Sequence, residues 1–178
     1  ADITAAMDTW YAGGTEVVFA CGGGIYTSAV DAAKKVEGAK VIGVDVDQAG
    51  VIANYAAGEG ADAATVEGYK ALTVTSAMKG LYPATFDTLT DVIVNGNWEK
   101  YSGKIDTLGL VSADDPAANY VQIPMESTQW ADGKFTQDDY KALVKAMFDG
   151  TLTVSNDITK AAKDFATVIT VDDQGNIK

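Results

Sequence analysis

Apolar residues at the start of the chain recur with the period of an amphipathic helix. Residues 2–12 carry their larger apolar side chains at i, i+3, i+4, i+7 and i+8, which predicts one buried helix face: Ile3, Ala6, Met7, Trp10 and Tyr11. The pattern then changes, and the run E-V-V-F-A-C at 16–21 predicts a buried strand. A glycine triplet at 22–24 follows that strand directly.

Helical and strand patterns alternate along the rest of the chain. Strands are predicted at residues 40–44, 71–75, 105–111 and 168–171, with a short extended piece at 120–124. Helices are predicted at residues 26–37, from about Pro83 with Phe86, Leu89 and Ile93 facing inward, and from the capping box of Thr136 and Asp139 to Gly150. The Gly- and Ala-rich stretch 49–69 has no clear period and is predicted as a long functional loop.

This alternation predicts an α/β fold, with a parallel sheet flanked by helices. The order of elements begins on a helix, so we expect the chain to start inside a larger architecture. The sequence contains no apolar run of about 18 residues, which a membrane span would need. It opens without a basic segment followed by an apolar one, so no signal peptide is expected within it.

Composition excludes several classes of function. The net charge is −12, and the 13 basic residues are all lysine, so a nucleic-acid partner is not expected. The chain has no histidine, which removes Ser-His and Cys-His catalysis and most zinc sites. Its single cysteine, Cys21, cannot form an internal disulfide and is predicted to be a small buried apolar residue. We therefore expect no enzyme, no cofactor and no metal.

Candidate chemistry lies at the carboxyl ends of three predicted strands, where α/β sheets bind ligands. These ends are residues 19–24, 45–48 and 75–79. Glycines at the first end allow a ligand to approach the backbone, or they simply make a tight strand-to-helix turn: Gly22, Gly23 and Gly24. Asp45 is suited to accept hydrogen bonds from two vicinal sugar hydroxyls, or to cap the next helix.

Two further side chains complete the candidate site. Lys79 is placed to contact a ligand oxygen or to pair with Asp45, although a solvent-facing lysine fits the pattern equally well. Phe19 is either a core residue or an aromatic ring that stacks on a base. An alternative function is the dinucleotide-binding domain of an oxidoreductase, because a strand, a Gly-rich turn, a helix, a strand and an acid occur in that order. The glycine fingerprint of such domains fails at its third position, which is Thr27.

The stretch Glu16–Gln48, with V-V-F-A-C-G-G-G and V-I-G-V-D-V-D-Q, resembles the basic membrane protein family of solute-binding lipoproteins. Later segments are similar to the same family: L-T-V-T-S-A-M-K-G-L, K-I-D-T-L-G-L-V and the helix at 138–149. The resemblance runs from residue 2 to about residue 155. It implies a two-lobe, type I periplasmic-binding-protein fold that serves an ABC-type nucleoside importer.

The resemblance also implies roles and boundaries. Asp45 would bind the ribose hydroxyls, Gly22–Gly24 would line the sugar side, Lys79 would contact a ligand oxygen, and Phe19 would stack on the base. Residues 1–105 would form the second ligand-binding lobe, and residues 106–165 a crossover segment that packs on an absent first lobe. Residues 166–178 would form a tail or a return strand. The expected partners are a nucleoside, a first lobe or partner chain, and a permease, outside the cytoplasm at a lipid-anchored location.

Overall fold

A computed structural model describes residues 2–175 of the chain. Its centre is a mostly parallel four-stranded sheet in the order β1-β2-β3-β4, in which only β4 is antiparallel to its neighbour. The strands are β1 (Val17–Phe19), β2 (Lys40–Asp45), β3 (Thr73–Lys79) and β4 (Val121–Gln122). The helices are α1 (Asp2–Ala12), α2 (Tyr26–Ala33), α3 (Ala49–Ala57), α4 (Ala63–Tyr69), α5 (Leu81–Leu89), α6 (Trp98–Tyr101) and α7 (Gln137–Phe148). The expected α/β class, a parallel sheet flanked by helices, is confirmed.

One face of the sheet carries the hydrophobic core. Val18 pairs with Val41 across β1 and β2, and both are buried in a cluster with apolar residues of α1, α2 and α3. Each large aliphatic side chain in this cluster contributes about 1.5–3 kcal/mol by burial. Tyr11 of α1 is also buried, and its hydroxyl donates a 2.6 Å hydrogen bond to the carbonyl of Lys40. The first helix is therefore held on the start of β2 by both packing and a hydrogen bond.

The opposite face of the sheet is more open. Phe19, Ile42 and Thr75 are register partners across the three parallel strands, so their side chains point to this second face. Phe19 is 48% exposed, which excludes the core position that its apolar character allowed. This face, near the carboxyl ends of the strands, therefore remains accessible.

The stretch 49–69 is not a loop, contrary to the sequence-based prediction. It forms α3 and α4, separated by turn residues Gly58 and Gly60 with left-handed backbones. Asp62 caps α4 by accepting a 2.7 Å hydrogen bond from the Thr65 amide. The buried face of α3 consists largely of alanine, and small side chains give a weak hydrophobic period even where they pack tightly.

Two predicted strands do not form. Residues 105–111 form no strand: β4 pairs with the edge of β3, and within 105–111 the carbonyl of Gly109 accepts a 3.0 Å hydrogen bond from the amide of Tyr120. The amides of Val111 and Ser112 instead donate to the side chain of Asn119. Residues 168–171 are irregular, and residues 176–178 of the predicted tail lie outside the described part. The proposed division at residues 105 and 165 stays a prediction.

The later helices differ in how they pack. The capping box of α7 is present, with Thr136 and Asp139 bonded reciprocally, and Tyr140 and Val144 are its buried residues. In contrast, the side chains predicted to face inward along α5 and the π-helical segment after it, Thr90–Val94, are exposed: Phe86, Leu89 and Ile93. No described helix within residues 2–175 is long and apolar enough to cross a membrane.

The carboxylate of Asp91, in the π-helical segment between α5 and α6, is the centre of a group of hydrogen bonds that we call the carboxylate hub. The Asp91 carboxylate accepts hydrogen bonds from Asn95, Asn97, Lys100 and Tyr101 at 2.7–3.1 Å. These donors, Lys100 first, hold the pKa of Asp91 well below its usual range. A lowered pKa means that the folded state favours the ionised form, so protonation removes stability.

We expect acid to loosen this hub selectively. Its contribution is complete above about pH 4, the ordinary range for an unfolded aspartate, and is lost as the pH falls toward the lowered pKa. The hydrogen-exchange protection factors of the Asn97 and Ser102 amides, which donate to the carbonyls of Asp91 and Trp98, should therefore fall below that pH, even though the intrinsic exchange rate itself slows in acid. Asp91→Asn should show fast exchange already at neutral pH, whereas Glu99→Gln in α6 should behave as wild type. Equal acid sensitivity in wild type and Asp91→Asn would contradict this assignment.

Candidate functional site

The carboxyl ends of β1, β2 and β3 meet at one edge of the sheet, because the three strands are parallel and adjacent. A cavity of about 410 Å³ lies there. It is lined by residues from all three ends and from β4: Phe19, Cys21, Gly22, Gly23, Val44, Asp45, Ala77, Met78, Lys79 and Val121. Five of the six predicted site residues are therefore brought together, and Gly24 is not among the lining residues.

An ion pair in the wall of the cavity joins β2 to β3. Lys79 Nζ lies 2.6 Å from Asp45 Oδ1, and the hydrogen bond to this carboxylate raises the pKa of Lys79 above its ordinary value. The Asp45 side chain is 39% exposed and that of Lys79 is 68% exposed, so solvent reaches both groups. Because the charges cancel, this part of the wall favours a neutral polar ligand over an ionic one.

Asp45 occupies an unusual backbone conformation. Its φ is 69°, and within residues 2–175 it is the only residue other than glycine with a positive φ. The amide of Val46 donates a 2.8 Å hydrogen bond to the carbonyl of Val44, so Asp45 is the central residue of a γ-turn. A left-handed residue of this kind costs free energy and persists only where neighbouring contacts determine it, and such residues cluster at functional sites.

The hydrogen bond to the start of the next helix that was anticipated for Asp45 is made by Asp47 instead. Asp47 Oδ1 accepts a 3.1 Å hydrogen bond from the amide of Ala49, at the start of α3. Asp45 is thereby left with its carboxylate directed to Lys79 and the cavity. Asp45 therefore does not cap the helix, its carboxylate lines the cavity, and its contact with a ligand stays a prediction.

The glycine turn after β1 is tightly wound. Successive i to i+2 hydrogen bonds run from Cys21 to Phe19 and from Gly22 to Ala20, and a 3-10 turn, Gly23–Ile25, leads into α2. A Cβ atom on Gly22 would lie 2.9 Å from Ile25 Cδ1, so a side chain there would crowd the turn. Gly24 points its carbonyl at Thr27, whose hydroxyl donates a 2.9 Å hydrogen bond to it.

The remaining wall of the cavity is apolar. Phe19 and Val44 lie on the open face of the sheet, and Met78 and Val121 add further apolar surface. Sequence reasoning named none of Val44, Met78 and Val121 as a site residue, although Met78 lies within the strand end predicted at 75–79. Val121 pairs with Lys79 where β4 runs antiparallel to β3. No pattern of apolar and polar residues near Val121 predicts this pairing.

Cys21 is exposed and lines the cavity, so the expectation that it would be buried is wrong. The turn that begins at Ala20 lifts it out of the strand, which ends at Phe19. Within the described residues, no group of three or more possible ligating side chains is close enough to hold a metal ion.

The sequence matches no protein-family model, and no curated protein matches it. The interpretation of the cavity therefore depends on its geometry and on the chemistry of its lining residues.

Proposed function

We propose that this chain is the ligand-binding lobe of an extracytoplasmic solute-binding protein of an ABC-type importer, and that its ligand is a nucleoside. The observation that carries the proposal is the half-exposed Asp45 carboxylate beside a cavity at the meeting point of three strand ends. The cavity volume lies within the range of about 300–1,000 Å³ typical of small-molecule sites.

The polar part of the cavity suits a sugar. One carboxylate accepts hydrogen bonds from two neighbouring hydroxyls, which is the arrangement on a ribose. Lys79 holds the Asp45 carboxylate from one side and offers its ammonium donors to a ligand oxygen. A neutral nucleoside adds no charge to this pair, whereas a phosphate would bring its charge close to Asp45.

The apolar part of the cavity suits a base. Phe19 offers an exposed aromatic ring, and an aromatic ring stacks on the face of any nucleobase. Met78 is a polarisable side chain that adapts to a flat ligand. A sugar-binding carboxylate beside an aromatic wall is the pairing that a nucleoside requires.

The proposed mechanism is closure of two lobes around the ligand. The site residues of this lobe are substantially exposed, so a single lobe would cover only one side of a bound nucleoside. A first lobe that contacts the other side would be drawn closed by the ligand, and a permease would recognise the closed form. The partners of the chain are then a first lobe, a nucleoside and a permease at a lipid-anchored location.

A thermal denaturation series tests this proposal. Inosine at ten times its dissociation constant should stabilise the chain by about 1.4 kcal/mol, which corresponds to about 3–6 °C in Tm. Free ribose should give a smaller shift, because it lacks the base. A shift with NAD but none with inosine would favour the dinucleotide-binding alternative, and no shift with any nucleoside up to its solubility limit would contradict the proposal.

A further inference from the structure

Gln48 makes two hydrogen bonds that hold the turn containing Asp45 in place. The side-chain oxygen of Gln48 accepts a 2.9 Å hydrogen bond from the amide of Val44, immediately before Asp45. The amide of Gln48 donates a 3.1 Å hydrogen bond to the hydroxyl of Ser76 on β3. One residue therefore ties the turn both back to β2 and across to the neighbouring strand.

The side chain of Gln48 is not used to cap the helix that follows it. Gln48 is the N-cap residue of α3, yet its side chain makes no capping hydrogen bond. Asp47 supplies a side-chain acceptor to the first turn of that helix instead. The Gln48 amide group is thus free to turn back toward the strand, where it meets the residue that precedes Asp45.

Space for this contact is provided by Gly43. A Cβ atom on Gly43 would lie 2.6 Å from Ser76 Oγ, 2.9 Å from Gln48 Cβ and 3.0 Å from Gln48 Oε1. Any larger residue at this position would displace the Gln48 side chain from its place beside β2. Glycine, glutamine and serine therefore form one packed unit beneath the turn.

We infer that Gln48 is a positioning residue, whose side chain holds Asp45 in the left-handed conformation that directs its carboxylate into the cavity. A γ-turn with positive φ is strained and persists only when neighbouring contacts determine it. The Gln48 side chain bonds to the amide of Val44, the residue before Asp45, and the Ser76 hydroxyl bonds to the amide of Gln48. These two contacts hold the backbone on either side of Asp45 in place. The consequence for ligand affinity rests on the proposed function, but the consequence for the Asp45 backbone does not.

Two variants of Gln48 distinguish the effect of its hydrogen bond from the effect of the space that its side chain fills. Gln48→Met keeps the length of the side chain and removes the acceptor, whereas Gln48→Glu keeps an acceptor for the Val44 amide. In Gln48→Met, NMR should show at least tenfold faster exchange of the Val44 amide and a changed three-bond coupling at Asp45, which reports φ. Gln48→Glu should retain the wild-type coupling at Asp45.

Ligand affinity supplies the second readout. Wild type should prefer inosine to 2′-deoxyinosine, because the deoxy sugar lacks one hydroxyl for Asp45. Gln48→Met should reduce that preference about tenfold, while a general loss of stability would weaken both ligands equally. If neither ligand binds wild type but the Asp45 coupling changes in Gln48→Met, the proposed function fails and the positioning role stands. An unchanged Asp45 coupling in Gln48→Met overturns the inference.

Discussion

Replacing Asp45 by asparagine should weaken nucleoside binding about ten- to a hundredfold without unfolding the protein. The change removes the charge that strengthens hydrogen bonds to sugar hydroxyls, and charge-assisted bonds contribute about 1.5–3 kcal/mol. It also leaves Lys79 without the carboxylate that lies 2.6 Å away. Asparagine tolerates the left-handed backbone at least as well as aspartate, so the γ-turn at this position should survive.

Isothermal titration calorimetry with inosine measures this effect directly. The matched control is Asp138→Asn on α7, whose side chain is 93% exposed and remote in sequence from the cavity. It makes the same change in net charge, so it accounts for any long-range electrostatic contribution. Equal affinities for wild type and Asp45→Asn would remove this carboxylate from the ligand site.

Replacing Gly43 by alanine should destabilise the fold by about 1–3 kcal/mol, the usual cost of overpacking a tightly packed interior. Gly43 is buried in β2, and the added methyl group would meet Ser76 and Gln48 at 2.6–3.0 Å. Relief requires either a shift of β2 against β3 or expulsion of the Gln48 side chain. The same substitution should therefore also lower ligand affinity.

Urea denaturation compares this variant with a glycine that has free space. Gly68 lies within α4, and a Cβ atom added there would meet nothing within 4 Å. Gly68→Ala should stabilise the protein by up to about 1 kcal/mol, because alanine is the better helix former. Gly43→Ala and Gly68→Ala should thus shift the midpoint in opposite directions. An unchanged urea midpoint for Gly43→Ala would contradict this prediction, because it would show that β2 and β3 accommodate the added methyl group at little cost in free energy.

Local patterns in the sequence determined the elements whose apolar side chains are large and regularly spaced. The period of residues 2–12 predicted α1, and the capping box at Thr136 predicted the start of α7. The pattern failed at 49–69, where the buried side chains of the helix are mostly alanine. It failed again at 105–111, where the carbonyl of Gly109 accepts a hydrogen bond from the amide of Tyr120 and the amides of Val111 and Ser112 donate to the Asn119 side chain, contacts distant in sequence that no local period reports.

The position of the candidate site followed from sequence through a rule of topology: parallel strands place their carboxyl ends at one edge of the sheet. That rule brought Phe19, Asp45 and Lys79 together without any contact being known in advance. Only the tertiary structure decided that the Asp47 carboxylate accepts from the first turn of α3, that Val121 lines the cavity and that the Gln48 side chain bonds to the Val44 amide. Each of these depends on contacts between residues that only the folded backbone brings together, so no local pattern along the chain reports them.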